Sequence, residues 1–420
     1  MKKIAYLVSQ YPAISHTFIL REVRGLRDRR VEIEVASINA PDRDDEGLTA
    51  EEREEAARTF YVKRQGVPGA AKAHLGAVLS RPNAYFRGLR RALRLAGAGF
   101  SRKLLFVFYW TEALLLAAWM RKNGCTHLHV HFATAASTVG LLLAEMEDVG
   151  SSLTVHGPDE FYDAPGFLLR EKIEAADFVC CISSFARSQL MKLSDFEHWH
   201  KFDVAYLGVD PEHFAPRREP VERTSFGVVC VGRLVPAKGQ HILVQALAEL
   251  AGKGVDVRLD LIGDGPDRES LEGLCEQLAC RDRVTFHGSV NQDRLRDHLA
   301  RADVFCIPSF AEGIPVVLME AMSMEIPCVT TRITGIPELI TDGENGLLVP
   351  ASDVGRLAAA LKSLADDAER RALLSRAGRV KVVEDFNSER NLDVLARVFE
   401  RRLAALPETT VEPATLGEAA

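Results

Sequence analysis

The most informative part of this chain is Phe310-Ala311-Glu312-Gly313-Ile314-Pro315-Val316-Val317-Leu318-Met319-Glu320-Ala321-Met322. It follows a short apolar run at residues 304–307, which has the length of a buried strand, and it continues as an apolar helix. Pro315 suits the first turn of that helix because its missing N–H is not needed there. Backbone N–H groups from Gly313 onward would then face an anion, which the helix dipole also favours. The stretch therefore predicts an anion-binding turn between a strand and a helix.

Apolar runs of strand length recur along the chain, and helical patterns fall between them. The predicted strands are residues 4–8, 33–38, 127–132, 153–155, 178–182 and 204–207 in the first half, and 227–231, 257–262, 284–286, 304–307, 328–330 and 347–349 in the second. This alternation predicts an α/β protein with parallel sheets covered by helices on both faces. Two such series predict two Rossmann-like domains, which a chain of 420 residues can accommodate.

The domain boundaries follow from shifts in composition. We predict an N-terminal domain at residues 1–210 and a C-terminal domain at residues 225–385, joined by a linker at residues 208–225 that carries three prolines. Residues 386–406 are predicted to form a helix that returns to the N-terminal domain. Residues 407–420, rich in Pro, Thr, Glu and Ala, are predicted to be a disordered tail.

Composition excludes several classes of protein. The net charge of −7 argues against a general nucleic-acid binder, so no nucleic-acid partner is expected. The eight cysteines form no CxxC pair, which favours small buried side chains in a reducing compartment. The apolar run at residues 4–8 is too short for a signal peptide, and the run at residues 104–120 contains Glu112 and is slightly short for a bilayer span. We therefore expect a cytoplasmic location.

Two glutamates, Glu312 and Glu320, lie eight residues apart in the opening stretch. On a helix this spacing corresponds to about 12 Å along the axis, roughly the length of a diphosphate with a sugar at each end. One carboxylate could accept hydroxyl hydrogen bonds from a transferred sugar and the other from a ribose. The alternative is a capping acid and a solvated helix residue, which two glutamates taken alone would favour.

A second pattern is Gly232-Arg233-Leu234-Val235-Pro236-Ala237-Lys238-Gly239, which lies between a predicted strand and a predicted helix. Two cations and two glycines offer a diphosphate both charge neutralisation and access to the backbone. The alternative is a solvated basic loop. Gly263-Asp264-Gly265-Pro266 follows the next strand and predicts a tight turn beside it.

Together these elements resemble the retaining glycosyltransferases of family 4, which have the GT-B fold of two Rossmann-like domains facing across a cleft. The matching segments appear in family order between residues 227 and 349: Gly-Arg-Leu…Lys-Gly at 232–239, Ile-Gly-Asp-Gly-Pro at 262–266, Phe-His-Gly at 286–288, Glu312 with Glu320, Gly-Ile-Pro-Glu at 335–338 and Asn-Gly-Leu-Leu-Val at 345–349. The resemblance implies that Arg233 and Lys238 bind the donor diphosphate, that Glu312 contacts the transferred sugar and that Glu320 contacts the ribose. The expected donor-binding residues are Gly232, Arg233, Lys238, Gly263, Gly313, Ile314, Pro315 and Glu320.

The first half resembles the same family more loosely. Its opening, Ser9-Gln10-Tyr11-Pro12…Ser15-His16-Thr17-Phe18-Ile19…Glu22, is similar to exopolysaccharide glycosyltransferases of the colanic-acid type. His127, His129 and His131 alternate along one strand, so they share one face of the sheet. A histidine at the place of His131 lies at the reaction centre in the family, so we predict His131, Glu312, Arg233 and Lys238 as the catalytic residues. His127 and His129 are expected to be hydrogen-bonded core groups.

His156-Gly157-Pro158-Asp159-Glu160 follows the next strand. Together with His16, we expect His156 and Asp159 to lie on the acceptor side; the alternative is a turn whose Gly-Pro sets the backbone. His-x-His could also bind a metal, as at the first strand of metal-dependent hydrolases, but only His156 offers itself as a further ligand. Asp42-Arg43-Asp44 lies in an acidic loop and predicts solvated charge. No metal and no cofactor are expected, since the nucleotide-sugar is a substrate.

Residues 56–111 contain no Asp or Glu but 11 basic residues, so this segment carries +11 in a protein of −7. Aromatic residues follow or interleave with the basic ones. Such a segment can rest on an anionic membrane surface, and the alternative is a set of solvated helices packed on the first domain.

The predicted function is transfer of a sugar, with retention, from a nucleotide-sugar donor to a glycan or lipid-linked glycan acceptor, in exopolysaccharide or cell-surface glycan biosynthesis. The enzyme would be cytoplasmic and peripheral on the inner face of the cytoplasmic membrane. Two alternatives remain open at this point. One is a sugar-nucleotide 2-epimerase of the same architecture, and the other is a peripheral membrane protein that binds a nucleotide-sugar without catalysis.

Overall fold

The computed structural model describes residues 2–13, 16–147, 149–216 and 225–407. These residues fall into two compact units, each built around its own sheet. Unit 1 takes residues 1–182, 186–205 and 392–420, and unit 2 takes residues 183–185 and 206–391. Residues 217–224 of the predicted linker and residues 408–420 of the predicted tail lie outside the described part of the chain.

Unit 1 contains a seven-stranded, entirely parallel sheet with the strand order β3-β2-β1-β4-β5-β6-β7. Its strands are β1 (Ile4–Gln10), β2 (Ile33–Asn39), β3 (Phe60–Tyr61), β4 (His127–His131), β5 (Gly150–Val155), β6 (Phe178–Cys181) and β7 (Phe202–Val204). Its helices are α1 (Thr17–Asp28), α2 (Ala50–Arg58), α3 (Gly66–Ser80), α4 (Pro82–Ala96), α5 (Phe100–Asn123), α6 (Ala135–Glu147), α7 (Asp159–Tyr162), α8 (Leu169–Ala175) and α9 (Ser184–Leu193), whose first two residues are counted in unit 2.

Unit 2 contains a six-stranded parallel sheet with the order β10-β9-β8-β11-β12-β13. Its strands are β8 (Phe226–Val231), β9 (Val257–Ile262), β10 (Val284–Gly288), β11 (Val304–Ile307), β12 (Cys328–Thr331) and β13 (Leu347–Val349). Its helices are α10 (Gln240–Gly252), α11 (Arg268–Gln277), α12 (Gln292–Leu299), α13 (Val316–Ser323), α14 (Ile336–Leu339), α15 (Val354–Asp366) and α16 (Ala368–Asp385). A last helix, α17 (Ser388–Ala404), packs from Leu392 onward into a core cluster of unit 1.

The predicted strands are confirmed except for one, and the structure contains one further strand that was not predicted. The strand predicted at residues 204–207 is wrong: the chain forms β7 at Phe202–Val204 instead. Asp203 breaks the apolar pattern there, and its charge is balanced by Arg401 and Arg402 from α17, at 2.5 and 2.7 Å. Strand β3 was not predicted because two residues give no periodicity.

Each sheet buries both faces, as a parallel sheet covered by helices must. In β1, Ala5 and Leu7 point into one core cluster, while Ile4, Tyr6 and Val8 point into another on the opposite face. All eight cysteines are buried and free, which confirms the prediction that they are small core side chains. The faces of each sheet therefore form the hydrophobic cores. Ligands in such folds bind at the other available place, the edge formed by the carboxyl ends of the strands.

Helix α5 differs from the expectation of a buried helix at residues 104–120. It is the one described helix long and apolar enough to cross a membrane, judged by length and composition alone, and 44% of its most apolar window is buried inside the structure. Burial is concentrated in its second half, from Trp110 to Met120, whereas Phe100, Leu104, Leu105 and Phe108 in the first half are exposed.

Candidate active site

Unit 2 brings two predicted site residues into direct contact. Lys238 lies in the loop after β8, and its Nζ is 2.6 Å from Oε1 of Glu312, in the loop after β11. The Ser309 hydroxyl donates to the same oxygen at 2.7 Å. Glu312 is buried, and Lys238 is partly exposed. The pair places one cation and one carboxylate at the carboxyl edge of the sheet, where 74 residues of sequence separation gave no sign that they would meet.

Two threonines, one at the end of β12 and one in the loop that follows it, hold the loop that carries Glu312. The Thr331 hydroxyl donates to the backbone oxygen of Ser309 at 2.5 Å, and the Thr334 hydroxyl donates to the backbone oxygen of Glu312. Ser309 itself is fully buried. These bonds fix the backbone on both sides of the carboxylate, so its position is set before any ligand arrives.

Two glycines allow the strand-end loops to approach one another. A Cβ at Gly263 would lie 2.0 Å from the backbone oxygen of Gly232, and Gly263 has φ +132. A Cβ at Gly239 would lie 2.2 Å from the backbone oxygen of Pro308, and Gly239 has φ +66. Both positions exclude larger residues through contact and conformation together. This crowding brings the loop with Arg233 and Lys238 against the loop with Glu312.

The start of α13 corrects one expectation. Pro315 is the residue before the helix, in an extended conformation with ψ 123, and the helix begins at Val316. Glu312 therefore precedes the helix while Glu320 lies buried within it. The spacing of about 12 Å that a continuous helix would give does not apply, because Gly313, Ile314 and Pro315 form a turn instead.

The other predicted donor residues lie in the loops after β8, β9 and β11 and in α13. Arg233 is exposed, and its backbone oxygen accepts a hydrogen bond from Gln240 at 2.9 Å. Glu338, from the Gly-Ile-Pro-Glu segment, accepts backbone N–H bonds from Ser184 and Phe185, both at 2.8 Å, and the Tyr206 hydroxyl at 2.9 Å. Glu338 thus holds backbone in place and is a structural residue of unit 2.

In unit 1 the three histidines of β4 are completely buried on one face of the sheet. His127 Nε2 and His129 Nδ1 both lie 2.7 Å from the Ser152 hydroxyl, and His129 Nε2 lies 2.8 Å from the Thr154 hydroxyl. The prediction that His127 and His129 are hydrogen-bonded core groups is confirmed. Burial lowers the pKa of His127 to about 3 and that of His129 well below its usual range.

His131 pairs with His156 instead of with the hydroxyls. Its Nδ1 is 3.1 Å from Nε2 of His156, and its Nε2 lies 3.2 Å from Oε1 of Glu22, which also accepts the Tyr6 hydroxyl at 2.9 Å. Glu22, His129 and His131 offer ligand atoms within 4.8 Å of one another. Both ring nitrogens of His129 are within hydrogen-bond distance of hydroxyl groups. The three residues are therefore arranged as a hydrogen-bond network, and a metal would have to displace those bonds.

Aromatic rings surround the outer end of this network. The Phe132 ring lies 4.2 Å from His156 and 4.9 Å from His16, and Phe18 lies 5.1 Å from His156. Burial lowers the pKa of both His16 and His156. The structure therefore brings His16, His131 and His156 together, while Asp159 is exposed at the start of α7.

Two buried charged residues at this edge were not predicted as site residues. Glu160 and Lys172 are each 2% exposed and bind the loops that follow β4 and β5. Glu160 stands at the end of the His156-Gly157-Pro158 segment, so its position was a usable signal. Glu22 likewise belongs to the opening motif, whereas Lys172 lies in an ordinary helical sequence that gives no signal.

Asp42-Arg43-Asp44 has a structural role. Arg43 binds Asp42 at 3.0 Å and the buried Glu52 at 2.8 Å, and the Asp44 side chain caps the turn that ends at Gly47. The expectation of solvated charge therefore holds only in part, because Arg43 forms an ion pair with the buried carboxylate of Glu52.

With this geometry established, the sequence can be compared with known proteins. Residues 15–213 match the family described as Glycosyltransferase Family 4, and residues 213–381 match Glycosyl transferases group 1. Together the two models cover residues 15–381, and the chain is therefore a glycosyltransferase. It is 28% identical over 422 residues to WcaL of Escherichia coli K12, named as a colanic acid biosynthesis glycosyltransferase, with 96% of this chain and 99% of that protein covered.

A second relative is the GDP-mannose-dependent alpha-(1-6)-phosphatidylinositol monomannoside mannosyltransferase of Mycolicibacterium smegmatis. It is 35% identical over 219 residues, covering 49% of this chain and 57% of that protein. Among solved structures, sucrose-phosphate synthase from Thermosynechococcus elongatus superposes with a TM-score of 0.76 at 19% identity, over 96% of this chain and 100% of that one. The glycosyltransferase therefore has the GT-B architecture of two Rossmann-like domains, as predicted.

Proposed function

We propose that this glycosyltransferase moves a hexosyl group, with retention of configuration, from a nucleotide-sugar to a carbohydrate acceptor in exopolysaccharide biosynthesis. The observation that carries the proposal is the Lys238–Glu312 pair at the strand ends of unit 2. The relatedness to WcaL over nearly the whole chain supports an exopolysaccharide product.

In this proposal, unit 2 holds the donor. Negative charge builds on the diphosphate as the glycosidic bond breaks, and Arg233, Lys238 and the N–H groups at the start of α13 stabilise it. Lys238 is the better anchored of the two cations, because Glu312 holds its Nζ. Charge-assisted bonds to a diphosphate are then made by groups already in place.

Glu312 is proposed to bind the transferred sugar. Both Lys238 and Ser309 contact its Oε1, which leaves Oε2 as the oxygen for a sugar hydroxyl. A carboxylate committed to a lysine and a serine is a weak nucleophile, so we propose retention without a covalent intermediate on Glu312. Glu320 is proposed to accept hydroxyl bonds from the ribose.

Unit 1 is proposed to hold the acceptor, at the edge where His16, His131 and His156 meet. Asp159 is exposed at the same strand-end loop, so it can accept hydrogen bonds from acceptor hydroxyls. We propose that no metal or other cofactor takes part, because the cations Arg233 and Lys238 supply the positive charge that a diphosphate needs.

A donor screen tests this function. A panel of nucleotide-sugars is added to the full chain and melting is followed, and the donor that stabilises most is then used in transfer to glycan acceptors. Nuclear magnetic resonance of the product should show the anomeric configuration of the donor. Release of an altered free sugar without acceptor would identify an epimerase, and inversion at the anomeric carbon would overturn the proposed mechanism.

We further propose that the acceptor is borne on a lipid and that unit 1 docks on an anionic membrane at the cytoplasmic face. Support comes from a docking face formed by α3, α4 and the first half of α5. The described large apolar side chains that are exposed concentrate here: Val67, Leu75, Leu79, Phe86, Leu93, Phe100, Leu104, Leu105 and Phe108. A patch of this kind is unusual on a protein that stays in water.

Helix α3 gives the clearest evidence. None of its residues is buried, and Val67, Ala71, Leu75 and Leu79 repeat every four residues along one exposed stripe. In an ordinary surface helix this exposed stripe would be polar. An apolar exposed stripe beside exposed Lys72, Arg90, Arg94, Arg102 and Lys103 is typical of a helix that rests in the interfacial region of a membrane.

The arginines of α4 differ in what they contact. Arg87 donates to the backbone oxygens of Glu145 and Met146 at 2.8 and 3.1 Å, and Arg91 lies 3.4 Å from the Glu145 carboxylate. These two hold α4 against α6. Arg87, Arg90 and Arg94 are all exposed, but Arg87 is held by α6, so Arg90 and Arg94 are the residues of α4 that we expect to meet anionic lipid. A second copy of the same basic face would be repelled, which favours lipid over self-association.

Vesicle sedimentation tests the docking face. Leu75→Gln with Leu79→Gln should weaken binding to phosphatidylglycerol vesicles and leave folding intact, because both leucine side chains are exposed. The matched control is Leu373→Gln, exposed to 56% in unit 2. Arg90→Gln with Arg94→Gln should weaken binding mainly at low salt, with Arg370→Gln and Arg376→Gln as controls. Equal binding by all variants, or a dimer in place of vesicle binding, would overturn the proposal.

A further inference from the structure

Glu160 makes an unusual set of bonds for a buried carboxylate. Its Oε1 accepts the backbone N–H of Ala133 at 2.5 Å, and its Oε2 accepts the N–H groups of His156 and Gly157 at 2.5 and 2.8 Å. Ala133 follows β4, while His156 and Gly157 follow β5. A single side chain on α7 therefore ties together the loop that follows His131 and the loop that begins with His156.

Lys172, on α8, completes the arrangement from the other side. Its Nζ donates to the backbone oxygens of Ala133 and Thr134 at 3.1 and 2.7 Å. Residue 133 is thus held through its N–H by Glu160 and through its carbonyl by Lys172. The preceding residue, Phe132, has φ +67, a backbone conformation that residues other than glycine rarely adopt. The bonds on either side of Ala133 keep the chain in this turn, which directs the Phe132 ring onto His156.

A buried pair of charges contributes little to the stability of a fold. Removing both charges from water costs several kcal/mol each, and an apolar pair of similar volume often gives a more stable protein. Burial raises the pKa of Glu160 to about 7 and lowers that of Lys172 to about 7, against the backbone bonds and the opposite charge that favour the ionised forms. Glu160 and Lys172 direct their hydrogen bonds to the loops and not to each other. Their arrangement specifies geometry more than it contributes stability.

We propose that Glu160 and Lys172 are positioning residues, which hold the loops after β4 and β5 so that His131 and His156 stay paired at the acceptor edge. This proposal rests on the proposed function of that edge. Neither residue touches substrate; each acts through the backbone of the two loops. The pairing to be kept is the 3.1 Å contact of His131 Nδ1 with His156 Nε2.

The test uses Glu160→Gln, Lys172→Met and the double variant in the full chain. Matched controls are Glu52→Gln and Lys201→Met, because Glu52 is a buried carboxylate that accepts the Thr49 N–H at 2.8 Å. Lys201 likewise donates to two backbone oxygens, of Ile173 and Glu174, at 3.2 and 2.8 Å. Neither control residue touches the loops after β4 and β5.

The first readout needs no substrate. In ¹⁵N-histidine-labelled protein, the ring signals of His131 and His156 should move or broaden in Glu160→Gln and Lys172→Met, while those of His127 and His129 stay in place. The controls should leave all four unchanged. Ring signals of His131 and His156 that stay unchanged in the variants, or that move as much in the controls, would overturn the proposal whether or not transfer has been detected.

The second readout is transfer, with the nucleotide-sugar that the thermal-shift screen selects. We expect kcat to fall about tenfold or more in each single variant, with the KM for the donor unchanged, because small displacements of reacting groups carry losses of this size. The double variant decides between two explanations. It contains no unpaired buried charge, so recovery of transfer would mean that only charge balance matters, and persistent loss would mean that the loop contacts matter. If the unaltered chain transfers no sugar, the proposed function is wrong. The histidine spectra still test whether Glu160 and Lys172 position the two loops.

Discussion

The two units place their polar groups in different ways at equivalent edges of their sheets. In unit 2 the key groups are an ion pair, Lys238 with Glu312, held near the surface by short loops and glycines. In unit 1 the key groups are histidines inside the core, whose ring nitrogens lie within hydrogen-bond distance of hydroxyls and of each other, with Glu22 at 3.2 Å. A donor diphosphate needs exposed positive charge, whereas an acceptor hydroxyl needs precisely placed hydrogen-bond partners.

This difference has a consequence for stability. Unit 1 keeps several imidazoles away from water. Neutral buried histidines acquire protons only when the structure opens, so unit 1 is expected to depend on pH where unit 2 does not. Each prediction below separates the two units by one measurable property.

The largest effect expected is acid sensitivity of unit 1. His127, His129 and His156 have folded pKa values below the unfolded value of about 6.5, with that of His127 at about 3. Their contribution is complete above pH 6.5 and is lost as the pH falls toward 3. Near pH 5.5, about one pH unit below the unfolded pKa, each histidine that stays neutral in the fold should lower the free energy of unfolding by about 1.4 kcal/mol. Hydrogen exchange at pH 7.5 and 5.5 should show β4 and β5 losing protection while β8 and β9 keep theirs.

Replacing His127 by Asn should reduce the number of protons taken up on unfolding by about one, and so reduce the pH dependence of the free energy of unfolding. His241→Gln, in a half-exposed position of unit 2, serves as the control and should leave the dependence intact. Equal loss of protection in both sheets on acidification would show that the buried histidines do not govern acid stability.

The second effect concerns the charge in unit 2. If Lys238 binds the donor diphosphate as proposed, Lys238→Ala removes a charge-assisted bond worth roughly 1.5–3 kcal/mol, so turnover should fall at least about tenfold. Lys253→Ala, which breaks an exposed pair with Glu249, is the matched control and should keep full turnover. Circular dichroism checks that both variants fold. Full activity in Lys238→Ala would remove Lys238 from the donor site.

A third, smaller effect tests the close approach of the loops in unit 2. Gly263→Ala places a methyl group where only 2.0 Å separates it from the Gly232 backbone oxygen, at a φ of +132. We expect a loss of about 1–3 kcal/mol in stability, together with weaker donor binding. Gly252→Ala is the control, because its Cβ would meet nothing within 4 Å inside α10, and denaturant unfolding should show it unchanged or slightly more stable.

The smallest expected effect is that of metal removal. Glu22, His129 and His131 form the one metal-like cluster among the described residues, and we expect transfer to persist in excess chelator because hydrogen bonds occupy the cluster. Complete loss in chelator, restored by a single divalent ion, would contradict this and move the chemistry of unit 1 toward a metal centre.

Sequence patterns predicted the strands and the carboxyl-edge loops of both sheets because period and turn residues are local signals. They also predicted Glu312, Lys238 and the shared face of the β4 histidines. They did not predict β3, which is too short to show a period, or β7 at its true place, because Asp203 is accommodated by α17 from the far end of the chain.

For this glycosyltransferase, the sequence by itself determined the α/β class, the two sheets and the family, since these depend on residue order and on motifs within a few positions. Tertiary structure alone decided that Lys238 meets Glu312, that His131 pairs with His156 and that Arg87 and Arg91 hold α6 while Arg90 and Arg94 face outward. It also showed that α3 presents an apolar stripe to the outside. These outcomes depend on which side chains fold into contact and which are left exposed, and composition and periodicity do not contain that information.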